Sequence, residues 1–314
     1  MNKETVIVAL QQIKGIGISS INRLIDSNTC ELDSGLASLI ECYEVLKSIN
    51  KKTIELGPDA LKELYKASEQ TLENQESIGI HTITKSSPEY PTALKAIKNP
   101  PPLIHYRGNI STLSENNVAV VGSRKMSPST SFEVKGITQE LVAKGFNTVS
   151  GLALGVDTLA HLATIDQKGK TIAVLAHGLE LITPNSNRAL ANEILERQGC
   201  LISEYLIGTK LIAGNYLMRN RIQSAISKAV IICEAGIQSG TIETAHRAHE
   251  QGKHLACLPL TTDNSSNYTA FHHLVNNLNA VNLDSTDNRR RFYDQILTPP
   301  TTPSINTNEQ LNLF

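Results

Sequence analysis

Between residues 118 and 258, short apolar runs rich in β-branched residues alternate with stretches of helical periodicity, and this alternation leaves few folds open. Strands are predicted at Val118–Val121, Thr148–Ser150, Thr171–Ala176, Cys200–Ser203, Val230–Cys233 and Leu255–Leu258. Helices are predicted near Ser129–Lys144, Val156–Gln167, Arg188–Gln198, Asn215–Ser227 and Thr241–Gln251. Right-handed crossovers then lay successive strands parallel and cover both faces of the sheet with helices. The expected fold class is α/β with a mostly parallel sheet. Such sheets take ligands outside the carboxyl ends of their strands.

The turns at that rim are unusual in one respect. Val118–Val121 stops at Gly122, which is followed by Ser123 and Arg124, and a helix opens after Pro128. The later strands are followed by SGLALGVDTLAH from Ser150, HGLELITPNSN from His177, SEYLIGT from Ser203, GNYLMRNR from Gly214 and EAGIQSGT from Glu234. Packing needs glycine at some turns, but it does not need serine, arginine and asparagine repeatedly on one edge. That pattern predicts a binding rim whose amides, hydroxyls and guanidinium groups meet phosphate.

Two segments precede the sheet. Residues 1–77 read as a small helical domain, with apolar spacing at Val6, Leu10, Ile13 and at Ile21, Leu24, Ile25, broken by Lys14–Gly17. That punctuation resembles a helix-hairpin-helix, whose turn amides meet a DNA phosphate; the same pattern serves equally for packing in a small bundle. A second helical pair spans about Leu36–Leu46 and Ala60–Leu72. Proline and polar turns mark Ile78–Asn109, read as an extended connector because Pro100, Pro101 and Pro102 cannot be helical. The large domain is placed at 78–284, and residues 285–314 are read as a short flexible tail.

The 314 residues carry a formal net charge of −1, so a polyanion would be held by a local patch. Cys30, Cys42, Cys200, Cys233 and Cys257 have no zinc spacing; the last three sit in or beside apolar runs as core residues of a reducing compartment. No metal and no cofactor are expected. There is no signal-peptide pattern at the start and no run of membrane-spanning length, which predicts a cytoplasmic protein.

Taken together and in order, GSR at 122, SGLALGVD at 150, GL…PN at 178–185, SEY at 203, MRNRI at 218 and EA…SGT at 234–241 resemble the DNA-processing protein A (DprA/Smf) family over about residues 80–283. The resemblance implies an extended Rossmann-like domain that binds single-stranded DNA, forms a homodimer and helps load the RecA recombinase during natural transformation. It implies no catalysis. The sequence departs from the family pattern at His177, Leu206, Tyr216-Leu217 and Leu260.

Carried over residue by residue, the resemblance places Gly122, Ser123 and Arg124 at the phosphates, Arg124 as a planar guanidinium fork. An internal ion pair of Arg124 with Asp157 or Glu204 is the competing reading. Ser150, Gly151 and Gly155 would supply amides, with Asp157 and His161 bracing their loop. Asn215, Arg219, Asn220 and Arg221 form a polar cluster, of which the spacing allows one arginine to reach DNA. Tyr216 either stacks on a base or fills the core. Ser239, Gly240 and Thr241 open a helix whose free N–H groups suit phosphate.

The rival is an enzyme. SGTIE from Ser239 to Glu243 resembles part of the signature of nucleoside-monophosphate phosphoribohydrolases, with Glu243 assisting departure of the base, although its spacing is one residue short. Separately, the proline-rich and threonine-rich stretch from Thr298 ends in QLNLF. This resembles a sliding-clamp-binding peptide in which Gln310, Leu311, Leu313 and Phe314 engage the clamp.

Overall fold

The computed structural model describes residues 2–259 and 264–298. Four helices come first: α1 (Asn2–Gln12), α2 (Ile18–Ser27), α3 (Leu36–Ile49) and α4 (Pro58–Ser77). Thr5 through Leu10 of α1 are all buried, so α1 is the centre of this bundle, and the other three helices wrap it. The glycine hairpin between α1 and α2 is packed: Gly15 has φ +97°, and a Cβ there would meet the Lys52 carbonyl at 2.3 Å. Ile54 N–H also bonds the Lys14 carbonyl at 3.1 Å, so this turn is built against residues 50–54.

The sheet contains nine strands among the described residues: β1 (His81–Thr84), β2 (Leu103–Gly108), β3 (Asn117–Gly122), β4 (Asn147–Ser150), β5 (Thr171–Leu175), β6 (Cys200–Ser203), β7 (Ala229–Cys233), β8 (His254–Cys257) and β9 (Val281–Asn282). Their order is β1-β2-β6-β5-β4-β3-β7-β8-β9. All pairings are parallel except β1 with β2 and β2 with β6. The segment read as an extended connector thus supplies two antiparallel strands, with a short helix α5 (Thr92–Lys95) between them. Proline ends that excursion at Pro102, and β2 starts at the next residue.

Helices cover both faces: α6 (Pro128–Ala143), α7 (Val156–Asp166), α8 (Arg188–Glu196), α9 (Ala213–Ala225), α10 (Gly240–Glu250), α11 (Ser265–Asn277) and α12 (Thr286–Leu297). The two-residue period of the strands divides the core. Ala119, Val121, Val230 and Ile232 pack with Ile222 of α9, Ile242 of α10 and Leu274 of α11. Val118, Val120, Ile231 and Cys233 pack on the other face with Val134 of α6, Val156 of α7 and Phe292 of α12. Helix α12 corrects the tail reading, since residues 286–297 are structured and bury Phe292, Tyr293 and Ile296. The clamp-like peptide at Gln310, Leu311, Leu313 and Phe314, and Leu260, lie outside the described residues.

The bundle is tied to the sheet. Asn22 Nδ2 donates to the Pro100 carbonyl at 2.7 Å, and Lys85 Nζ pairs with Asp26 at 2.6 Å. Leu206, one of the departures from the family pattern, packs against the bundle core. No helix among the described residues is long and apolar enough to cross a membrane.

Candidate phosphate-binding cleft

From β3 the chain builds β4, β5 and β6 to one side, then returns to lay β7 along the other. The loops after β3 and β7 therefore leave the sheet in opposite directions and open a crevice between them, at the switch point where such sheets bind ligands. The crevice is a cleft of about 340 Å³ lined by Gly122, Ser123 and Arg124 from the first loop and Gly236, Ser239, Gly240 and Thr241 from the second. Tyr216, Leu217, Arg219, Asn220 and Gln223 of α9 form its third wall.

Local stereochemistry explains the glycines. A Cβ at Gly122 would lie 1.8 Å from the Cys233 carbonyl, so only glycine lets β3 end beside β7. Ser123 N–H then bonds the Glu234 carbonyl at 2.8 Å and locks the two loops together. Its hydroxyl accepts Lys125 N–H at 3.1 Å and shapes the loop.

Arg124 is exposed, and its guanidinium lies 5.6 Å from the centre of the Tyr216 ring. Neither carboxylate proposed to neutralise it does so. Asp157 is buried and accepts the N–H groups of Gly151 at 3.1 Å and Ala153 at 3.4 Å, which is the bracing role the sequence predicts. Glu204 holds Arg221 by two bonds of 2.7 Å, with both side chains more than nine-tenths buried.

Of the two arginines that the spacing sets apart, Arg221 is thus consumed inside the fold and drops out of the candidate DNA contacts. Arg219 is also buried, donating to the Val174 carbonyl and to Asn220 Oδ1, yet it lines the cleft floor. Burial pushes its pKa down and the nearby Asp157 opposes that. Asp157 is in turn pushed up by burial, with Arg219 the largest opposing influence. The pair sets a buried, compensated charge beneath an exposed cation.

Four further candidates have structural tasks. Ser150 is buried, and its hydroxyl donates to the Val120 carbonyl at 2.8 Å, joining β4 to β3. Gly151 leaves room for Arg219, whose Nη1 would stand 2.1 Å from a Cβ there. Gly155, with φ +78°, caps α7 and lies against the carbonyls of Ser123 and Arg124. Asn215 is buried in the first turn of α9, its Nδ2 3.5 Å from the Lys210 carbonyl. These four shape the cleft from outside its lining. His161 does not brace the 150–155 loop as expected: its Nδ1 lies 2.6 Å from Thr171 Oγ1 at the start of β5, and burial, with Arg219 adding to it, lowers its pKa to about 3.

Gln223 follows directly on MRNRI, yet nothing in the sequence singles it out. It is 1% exposed, and its Nε2 has no hydrogen-bond partner. Ser239 Oγ is likewise buried and unpartnered, although Ser239 is the N-cap of α10 and its hydroxyl would ordinarily close on that helix. Two unsatisfied polar groups on one cleft are unusual, because each costs about 1–3 kcal/mol when nothing meets it. Glu243 is not part of the lining; it pairs with Arg247 at 2.6 Å.

The family model for DNA recombination-mediator protein A matches residues 81–293. The chain belongs to this family. Among curated relatives, protein Smf of Synechocystis is 35% identical over 260 residues, which is 82% of this chain and 64% of the relative. DNA processing protein DprA of Bacillus subtilis is 34% identical over 218 residues, 68% of this chain and 73% of the relative. The chain thus spans just under two thirds of the Synechocystis protein's length. Among solved structures, DNA processing protein A from Streptococcus pneumoniae aligns with TM-score 0.75 and 26% identity over 93% of this chain and 97% of that one. DNA processing protein A from Helicobacter pylori, studied for its single-stranded DNA binding mode, aligns with TM-score 0.60 and 28% identity over 69% of this chain and 95% of that one. The mostly parallel sheet and the leading helices expected from the DprA/Smf resemblance are both present.

Proposed function

We propose that this DNA recombination-mediator family member binds single-stranded DNA in the cleft between the β3 and β7 loops, and that it acts without catalysis. The reading rests chiefly on the two unpartnered groups, Gln223 Nε2 and Ser239 Oγ, of residues that line the same cleft as the exposed Arg124. Phosphate oxygens accept from all three, and α10 adds the free N–H groups of its first turn. Tyr216 offers a ring face beside Arg124, and bases of any sequence stack on such a face. The single-strand binding studied in the Helicobacter pylori relative supports the same ligand.

The bound strand would be protected and handed to a RecA-type recombinase by a homodimer, as in DNA uptake. The tail peptide from Gln310 to Phe314 would add an attachment to a sliding clamp, lost on its deletion. Against the phosphoribohydrolase alternative, Glu243 pairs with Arg247 and is not among the residues lining the cleft. Fluorescence anisotropy with a labelled oligo-dT, duplex competitor and a salt series tests the binding. Affinity that prefers single strands, falls with salt and drops in Arg124→Ala supports it; absence of binding at low salt overturns it.

A further inference from the structure

Away from the cleft, two histidines from different helices face each other. His246 lies on α10 and His273 on α11, with their Nε2 atoms 3.3 Å apart and their ring centres 5.1 Å apart. Both rings are partly buried in the seam between the two helices. One proton shared along a straight N–H···N bond of that length would hold the ring centres about 5.6 Å apart, since each ring adds about 1.15 Å. The observed centres are closer than that, so the two ring axes are bent away from the straight line.

A tetrahedral metal with bonds of about 2.05 Å to two imidazole nitrogens sets those nitrogens about 3.3 Å apart and the ring centres about 5.2 Å apart. Both separations in the structure fit that arrangement. We propose that His246 and His273 form a two-histidine clip for a divalent transition metal of the class imidazole prefers, zinc above all, with copper and nickel sharing the chemistry. Among the described residues no group of three or more His, Cys, Asp or Glu could hold a metal, so water completes the coordination sphere.

Helices α10 and α11 both contribute to one apolar core, through Ile242 and Ala245 and through Ala270 and Leu274, and the clip joins them directly. Helix α10 carries Ser239, Gly240 and Thr241 at its start, and Ser266 at the start of α11 accepts Ile237 N–H at 3.2 Å from the same loop. A metal across His246 and His273 therefore braces the wall of the cleft from its far end.

The test uses the full chain and zinc chloride alone. Isothermal titration and thermal melts, with and without EDTA, are compared for wild type, His246→Gln, His273→Gln and His249→Gln, the last an exposed histidine of α10 outside the pair. The expected result is a single site whose binding raises the melting temperature in wild type and His249→Gln. In either clip variant its affinity falls at least about ten-fold. Ring resonances of His246 and His273 in wild type, followed on zinc addition, give a readout independent of any variant's folding. Unchanged resonances at saturating zinc, equal zinc affinity in the clip variants, or no stabilisation of wild type would each overturn the clip.

Discussion

The Arg124 guanidinium lies 5.6 Å from the centre of the Tyr216 ring, joining the loop after β3 to the first turns of α9 across the mouth of the cleft. The contact holds a flexible cation in place without neutralising it, which a carboxylate would do. Arg124→Ala is expected to weaken single-stranded DNA binding similarly for all sequences and to reduce the salt slope by about one. Tyr216→Phe keeps the ring face and is expected to bind nearly as wild type, while Tyr216→Ala loses about 1–3 kcal/mol. Anisotropy titrations across a salt series distinguish the two contributions.

Arg221 and Glu204 predict the opposite behaviour. Removing one partner of a buried bidentate pair leaves an uncompensated charge, so Arg221→Ala is expected to lose about 3–5 kcal/mol of stability. Its effect on DNA affinity should be small wherever the variant is folded. Urea denaturation and anisotropy on the same sample check both halves; a large affinity loss with unchanged stability would return Arg221 to the DNA-binding set.

Gly151→Ala should act at a distance. The added methyl would stand 2.1 Å from Arg219 Nη1, and the guanidinium must move away from Val174 and Asp157 to admit it. Reduced affinity with a raised unfolding rate is expected, and stopped-flow unfolding beside equilibrium binding would detect it.

Two buried histidines set an acid limit on stability. Burial lowers the pKa of His105 to about 4, and burial with the nearby Arg219 lowers that of His161 to about 3. In the unfolded chain both rings take up protons near pH 6.5, whereas in the folded chain they do not. The stability they contribute is complete above about pH 6.5 and declines as the pH falls toward 4 and then 3, by up to about 1.4 kcal/mol per pH unit for each ring. Urea midpoints measured from pH 7 to pH 4 should show this slope, and His161→Asn should flatten it.

The alternation of strands and helices was legible because β-branched runs and helical periods are local signals. Valine pairs such as Val118 and Val120 against Ala119 and Val121 do not say which helix covers which face, since that depends on strand order. The proline-rich segment before β3 hid β1 and β2, because antiparallel edge strands tolerate the prolines that end them. The run TDNRRRFYDQIL reads as a solvated tail because its charges mask the apolar face; in α12, Phe292, Tyr293 and Ile296 are buried, and Arg289 pairs inward with Glu133 and Glu140 of α6. At the site, the sequence placed Arg124 and Ser239 correctly on the rim. It could not reveal that Arg221 is spent on Glu204, because their meeting depends on how α9 lies against the end of β6. Gln223 carries no motif, and only its burial without a partner distinguishes it.

The pairing of Gly122 with Cys233 has a consequence for synthesis on the ribosome. The first wall of the cleft leaves the exit tunnel long before the second, with three strands and their helices made in between. The cleft is therefore incomplete until β7 slots in beside β3 and α10 has followed it. On the proposed reading, the order in which the chain emerges delays capture of a strand until both walls are made.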